Sequence, residues 1–391
     1  MRKESATPLH PTSSHLSAYH IPPKTRLSET KMQENTGDIC IVHFFFVILR
    51  AEWAESLRLN FAINKQLTYF IIMEKPYVLG LDMGGTNSVL GIVDARGHVL
   101  ARTSIKTQAY AKIEDYVNAL YEEALKIIEP VGGIEMFRGI GAGAPNANYY
   151  SGNIEYAANL PWKGIVPFAE LMTAKFGIPC RITNDANAAA MGEMAYGAAR
   201  GMKNFIMITL GTGVGSGIVI DGKLVYGHDG FAGELGHTKI VRGENARLCG
   251  CGHKGCLEAY ASATGVARTA REIVMNTNEP TLLRNLEPEA ITSKDVFDAA
   301  EQGDEVAKRI FDETGKMLGQ KFADFVAFSA PEAIILFGGM TKCGHYILDP
   351  IVKTMNEDVL PIWQNKVKVM FSDLKEADAA VLGASALAWG E

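Results

Sequence analysis

Residues 249–256 read CGCGHKGC, so three of the chain's six cysteines fall within eight residues. A histidine, His237, closes the segment Ala232-Gly233-Glu234-Leu235-Gly236-His237, 12 positions before Cys249. Three thiolates (Cys249, Cys251, Cys256) and one imidazole complete a tetrahedral Zn²⁺ site, and a site filled by four protein ligands is structural. Glycines between the cysteines let the backbone fold tightly round one ion. His253 is a rival fourth ligand, in a cramped position inside the loop. A disulfide plus a free thiol is the alternative to a metal, and a reducing compartment argues against it. Cys40, Cys180 and Cys343 lie far from the cluster and from one another, so no disulfide framework is indicated.

Two glycine turns suit phosphate. Asp82-Met83-Gly84-Gly85-Thr86-Asn87 and Leu210-Gly211-Thr212-Gly213 each end a strand pattern with residues lacking Cβ bulk. There the backbone can approach a ligand closely and offer N–H groups and a Thr hydroxyl to phosphate oxygens. Asp82 is placed to hold Mg²⁺, directly or through water. The plainer reading is a pair of hairpin corners. No G-x-x-x-x-G-K-[ST] loop occurs. A third pair, Gly338-Gly339, follows the apolar run 333–337 and could border the nucleotide's adenosine end. Between the two turns, Asn184-Asp185-Ala186-Asn187 opens an Ala-rich stretch. It reads as a helix N-cap, or as a carboxylate aimed into a cleft where it could take a proton from an attacking hydroxyl.

These residues need a scaffold, and the pattern supplies one. From residue 77 three strand-like runs, 77–83, 88–93 and 98–105, are separated by Gly- and Asp-containing corners. Ile113, Tyr116, Val117, Leu120, Ala124 and Ile127 then recur at helical spacing, and a strand follows at 139–142. The meander returns at 205–210, 214–220 and 223–226. Two meanders, each with a Gly/Thr-rich first turn, predict two related lobes of an α/β protein with a ligand cleft between them. Length (391 residues), 47% hydrophobic and 21% charged content fit a soluble two-domain protein. A net charge of −6, with no long basic run, gives no general field for nucleic acid.

Residues 1–72 do not conform. Their apolar run, 39–49, is 11 residues long, against about 20 needed to span a bilayer, and it lacks the placement of a signal peptide. They read as an extension outside the fold, with the patterned chain opening at Met73.

The ordered set LDMGGTN, NDANAAA, LGTGVGSG, GELGH and CGCGHKGCLE resembles the ROK family (repressors, open reading frames and sugar kinases), from about Met73 to the C-terminus. The resemblance implies an actin-like (ribonuclease H-like) ATPase fold. Its small α/β lobe would span 73–183 with the C-terminal helix 377–391, and its large lobe, 184–376, would carry the zinc turn. It implies ATP, Mg²⁺ and Zn²⁺ as cofactors, transfer of the γ-phosphate to a hexose, and Asp185 as catalytic base. Sugar contacts fall on Asn159, Asn184, Asp185, Glu234, His237 and Glu258. Phosphate and nucleotide contacts fall on Asp82, Gly84, Gly85, Thr86, Asn87, Thr212, Gly213, Gly338 and Gly339. His237 would serve the metal through one ring nitrogen and the sugar through the other. Met83 and Asn87 depart from the commoner Ile and Lys. Within the family the motifs are most similar to bacterial glucokinases, which predicts a cytoplasmic enzyme, a homodimer or higher homo-oligomer, acting on D-glucose with no nucleic-acid or membrane partner. N-acetylglucosamine, N-acetylmannosamine, allose, mannose and fructose kinases share the same residues. A sugar-responsive repressor is the rival class; residues 1–72, with 8 Lys/Arg against 6 Asp/Glu, lack the basic helix pair it needs.

Overall fold

Two five-stranded sheets of one topology carry the molecule, seen in a computed structural model that describes residues 75–390. The expected extension, 1–72, lies outside the described residues. In the first sheet Tyr77–Met83 (β1), Asn87–Asp94 (β2) and Val99–Lys106 (β3) form the antiparallel meander. Phe137–Gly143 (β4) adds parallel to β1. A short ribbon, Ile154–Glu155 (β5) with Ile165–Val166 (β6), precedes Cys180–Thr183 (β7), which lies parallel to β4. The resulting order is β3-β2-β1-β4-β7. In the second sheet Phe205–Leu210 (β8), Val214–Ile220 (β9) and Lys223–Leu224 (β10) repeat the meander, and Ala333–Phe337 (β11) and Lys368–Phe371 (β12) add parallel. Its order, β10-β9-β8-β11-β12, is the first order repeated.

Sequence pattern explains the layers. The central strands β1, β4, β8 and β11 are buried along nearly their whole length, as expected of strands covered on both faces, whereas the edge strand β3 alternates between exposed and partly covered residues. Helix Ile113–Ile128 (α1) crosses from β3 to β4 and buries Tyr116, Val117, Leu120, Ala124 and Ile128. Here the helical spacing ran one residue short: Ile128, not Ile127, closes the apolar stripe. Phe168–Phe176 (α2) precedes β7, and Asp185–Tyr196 (α3) follows it. Beyond the second meander come Glu258–Ala261 (α4), Ala263–Asn276 (α5), Ser293–Glu301 (α6), Glu305–Ser329 (α7), His345–Asp358 (α8) and Glu376–Trp389 (α9). Each sheet has its own large core, one built around Leu79, Leu81, Tyr116 and Phe168, the other around Ile208, Phe311, Phe322 and Leu336.

The two halves meet through α3 and α9. Helix α9 lies on β1 and β4 and packs along α3, and α3 packs in turn on β8 and β9. Small residues make this possible: a Cβ on Gly192 would meet the Gly383 Cα at 2.8 Å, so the two helices touch backbone to backbone. Among the described residues no helix is long and apolar enough to cross a membrane.

Candidate active site

Two cavities of about 510 and 560 Å³ adjoin along the groove between the sheets. Asp185, Ala186, Gly215, Glu234, His237 and Glu258 line both and so form the wall where they meet. The first also receives Asp82 from the end of β1, Thr212 and Gly213 from the β8–β9 turn, and Gly338 beyond β11. The second receives Asn159 from the β5–β6 loop, Asn184, and Cys251 of the cysteine turn.

Asn184 is the N-cap of α3: its Oδ1 accepts from Asn187 N at 2.7 Å, so the plainer of its two readings is satisfied, and the residue also lines the second cavity. Asp185 is the first residue of that helix. Its carboxylate is open to the cavities, yet protein crowds its other sides. That crowding raises its pKa above the ordinary carboxylate value, against the opposing pull of the Ala186 N–H at 2.8 Å. Asp82 is pushed up to about 6, first by burial and then by repulsion from Asp185. Glu234 is also raised by burial, with His237 pulling it down and Asp185 and Glu258 adding to the rise. The groove therefore gathers four carboxylates, an arrangement whose charge a bound cation would relieve.

Glu258 is fixed from two sides. Its Oε2 accepts from Val214 N at 3.0 Å, and its Oε1 lies 3.3 Å from Cys249 Sγ. Gly213 makes room for it, because a Cβ there would lie 2.5 Å from Glu258 Oε2.

The ligand atoms of His237, Cys249, Cys251 and Cys256 all lie within 4.8 Å of one another. Cys251 and Cys256 sulfurs are 3.7 Å apart, and Cys249 Sγ is 3.7 Å from His237 Nδ1. Tetrahedral zinc with its usual bond lengths separates two sulfurs by about 3.8 Å and a sulfur from a nitrogen by about 3.6 Å. The donor set and spacing fit that ion, with His237 rather than His253 as the fourth member. His237 Nε2 faces the other way, 3.8 Å from Glu234 Oε2.

Not every expected residue reaches the groove. Gly84, Gly85, Thr86, Asn87 and Gly339 do not line either cavity. The carbonyl side of the first turn is tied to the 3-10 turn Thr107–Ala109 that follows β3: Thr107 Oγ1 donates to Gly84 O at 2.8 Å, and Thr107 N to Thr86 O at 2.9 Å. Gly85 stands under the Asn159 loop. Gln108 Nε2 bridges the carbonyls of Gly85 and Asn159 at 2.6 and 3.1 Å. Conversely, Thr209, Phe337 and Ala380 line the first cavity and Pro145, Asn146, Ser216 and Phe231 the second, none of them expected. Asn146 carried a usable signal, since Pro145-Asn146 follows β4 much as the glycine turns follow β1 and β8. Downstream of it, Tyr149 stacks on Tyr226 at 4.1 Å and joins a loop of the first sheet to the segment after β10.

The sequence profile of the ROK family matches residues 78–391. A glucokinase of Thermotoga maritima is 32% identical over 317 residues, which cover 81% of this chain and 98% of the relative. The crystal structure of a ROK family glucokinase from Streptomyces griseus, in complex with glucose and AMPPNP, is similar with a TM-score of 0.66 at 33% identity, covering 80% of this chain and 98% of that one. A xylose repressor of Caldicellulosiruptor bescii is 32% identical over 250 residues, 64% of this chain and 62% of the repressor.

Proposed function

Because this chain belongs to the ROK family and is an ATP-dependent sugar kinase, we propose that it converts D-glucose to glucose 6-phosphate, with Asp185 as general base. The observation that carries the reading is the shared wall: Asp185 borders both a cavity with phosphate-suited turns and a cavity lined by sugar-suited polar groups. Asn159, Asn184, Glu234, His237 and Glu258 bind and orient the sugar hydroxyls. The β8–β9 turn, through Thr212 and Gly213, holds the phosphates by close backbone approach. Gly338 borders the nucleotide. Asp82 would hold Mg²⁺, which when bound offsets charge on the phosphates.

Asp185 takes the proton of the attacking hydroxyl as the O–P bond forms and ADP departs. A raised pKa suits this role, since a base is more effective as its proton affinity approaches the working pH. His237, Cys249, Cys251 and Cys256 would hold a structural Zn²⁺. Ligation through Nδ1 leaves Nε2–H as a donor of fixed direction toward the sugar side. The test is a coupled ADP-release assay across hexoses and N-acetylhexosamines. Glucose should give the highest kcat/KM. A preference for another hexose by tenfold or more overturns the glucose assignment. Sugar-reversible retention of DNA without turnover would favour the repressor class.

A further inference from the structure

Lys239 follows the GELGH segment by two residues and pairs with Cys256 in an isolated antiparallel bridge. Backbone bonds on either side lock that pairing: Leu257 N to Thr238 O at 2.9 Å and Ile240 N to Gly255 O at 2.9 Å. The side chain turns onto the metal cluster, where its Nζ donates to Cys256 Sγ at 3.1 Å. Cys256 is fully buried, so its sulfur has no water to share its charge. Three thiolates around one Zn²⁺ leave a net negative charge, and the Glu258 carboxylate stands 3.3 Å from the Cys249 sulfur, on the cluster's other side. A cation bonded to the most enclosed thiolate offsets that excess in a region of low dielectric.

We propose that Lys239 is a positioning residue of the zinc cluster, which retains the metal by holding the Cys256 thiolate in place and screening its charge; this rests on the zinc reading above. The plainer role is packing, because Lys239 also lines a surface groove with Ile240, Lys321 and Asp358. Lys239→Met keeps the stem and removes the charge and the donor, so it separates the two. Outer-shell partners of metal ligands are worth about 10- to 100-fold in metal affinity.

The experiment uses the full chain, with zinc content measured first on untreated wild type. Zinc release into excess chromogenic chelator is then followed for wild type, Lys239→Met and Lys239→Arg. The expected result is release at least tenfold faster for Lys239→Met, near wild-type release for Lys239→Arg, and preferential alkylation of Cys256 by iodoacetamide in the Met variant. Should Lys239→Met not fold, Lys239→Gln, which keeps a donor without charge, should still release zinc faster than Lys239→Arg. Equal release rates in zinc-loaded wild type and variants overturn the proposal alone. Zinc-free, folded wild type overturns it together with the metal reading.

Discussion

Gly213→Ala gives a sharp test of how the groove is built. The added Cβ would lie 2.5 Å from Glu258 Oε2, against an ordinary contact of 3.4 Å or more, so the carboxylate must retreat by about 0.9 Å. The far end of a glutamate can swing that distance, and the backbone at residue 213 is not in the left-handed region, so the fold should survive. What is lost is the 3.0 Å bond from Val214 N, whose donor then lacks its partner, at about 1–3 kcal/mol. Misplacement of a binding group by about 1 Å can cost roughly 100-fold in an active site. We expect the KM for sugar to rise about 10- to 100-fold, with a fall in Tm of a few degrees, read by steady-state kinetics and thermal melts. Gly213 also borders the phosphate side, so an effect on ATP is expected in any background. The discriminating measurement is the double variant. In a Glu258→Asp chain the carboxylate is already withdrawn, and Gly213→Ala should add little to the sugar KM. An equal penalty in both backgrounds, or an unchanged sugar KM in the single variant, refutes the reasoning.

Asp185→Asn keeps size and polarity but removes the proton acceptor, so kcat should fall at least about 100-fold while sugar binding weakens modestly; near-normal kcat with lost sugar affinity would make Asp185 a binding residue only. Asp82→Asn should raise the Tm of the metal-free protein at pH 7. Folding lifts the Asp82 pKa from 3.8 to about 6, so the ionised form is penalised in the fold, and that penalty develops as pH rises from about 4 to 6 and stays constant above. The gain from Asp82→Asn should therefore vanish near pH 4, and the same variant should lose Mg²⁺-dependent ATP turnover; a Tm difference that does not change between pH 4 and 7 argues against it. A chain starting at Met73 should keep the activity and Tm of the full chain, and aggregation or lost sugar affinity on truncation would place residues 1–72 in the fold.

Much of the groove was legible because its residues carry chemistry that ordinary packing does not need. The quartet of His237, Cys249, Cys251 and Cys256 has the donor types and spacing of a zinc site, and the paired glycine turns mark equivalent places in a repeated meander. The helix stripe from Ile113 failed only at its last turn, where 3.6-residue drift brings Ile128 inward. Less was legible where long-range contacts decide. Gly84 and Gly85 have the composition of a phosphate turn, but no local period encodes Thr107 and Gln108 as the donors to their carbonyl oxygens. The reason for glycine at 192 and 383 is each other, across nearly 200 residues. Asn159 itself was reachable only through resemblance, since an exposed Asn in a loop has no distinguishing pattern.

His237 stands between sulfur at one ring nitrogen and the groove carboxylate Glu234 at the other. A residue that serves two ligands at once makes each a cofactor of the other's affinity. If the metal, by fixing the ring, tightens the sugar by some factor, then the sugar must tighten the metal by that same factor, because the two orders of binding close one thermodynamic cycle. On the reading that His237 serves both ligands, metal affinity would be higher in the sugar-bound protein than in the free protein by that one factor.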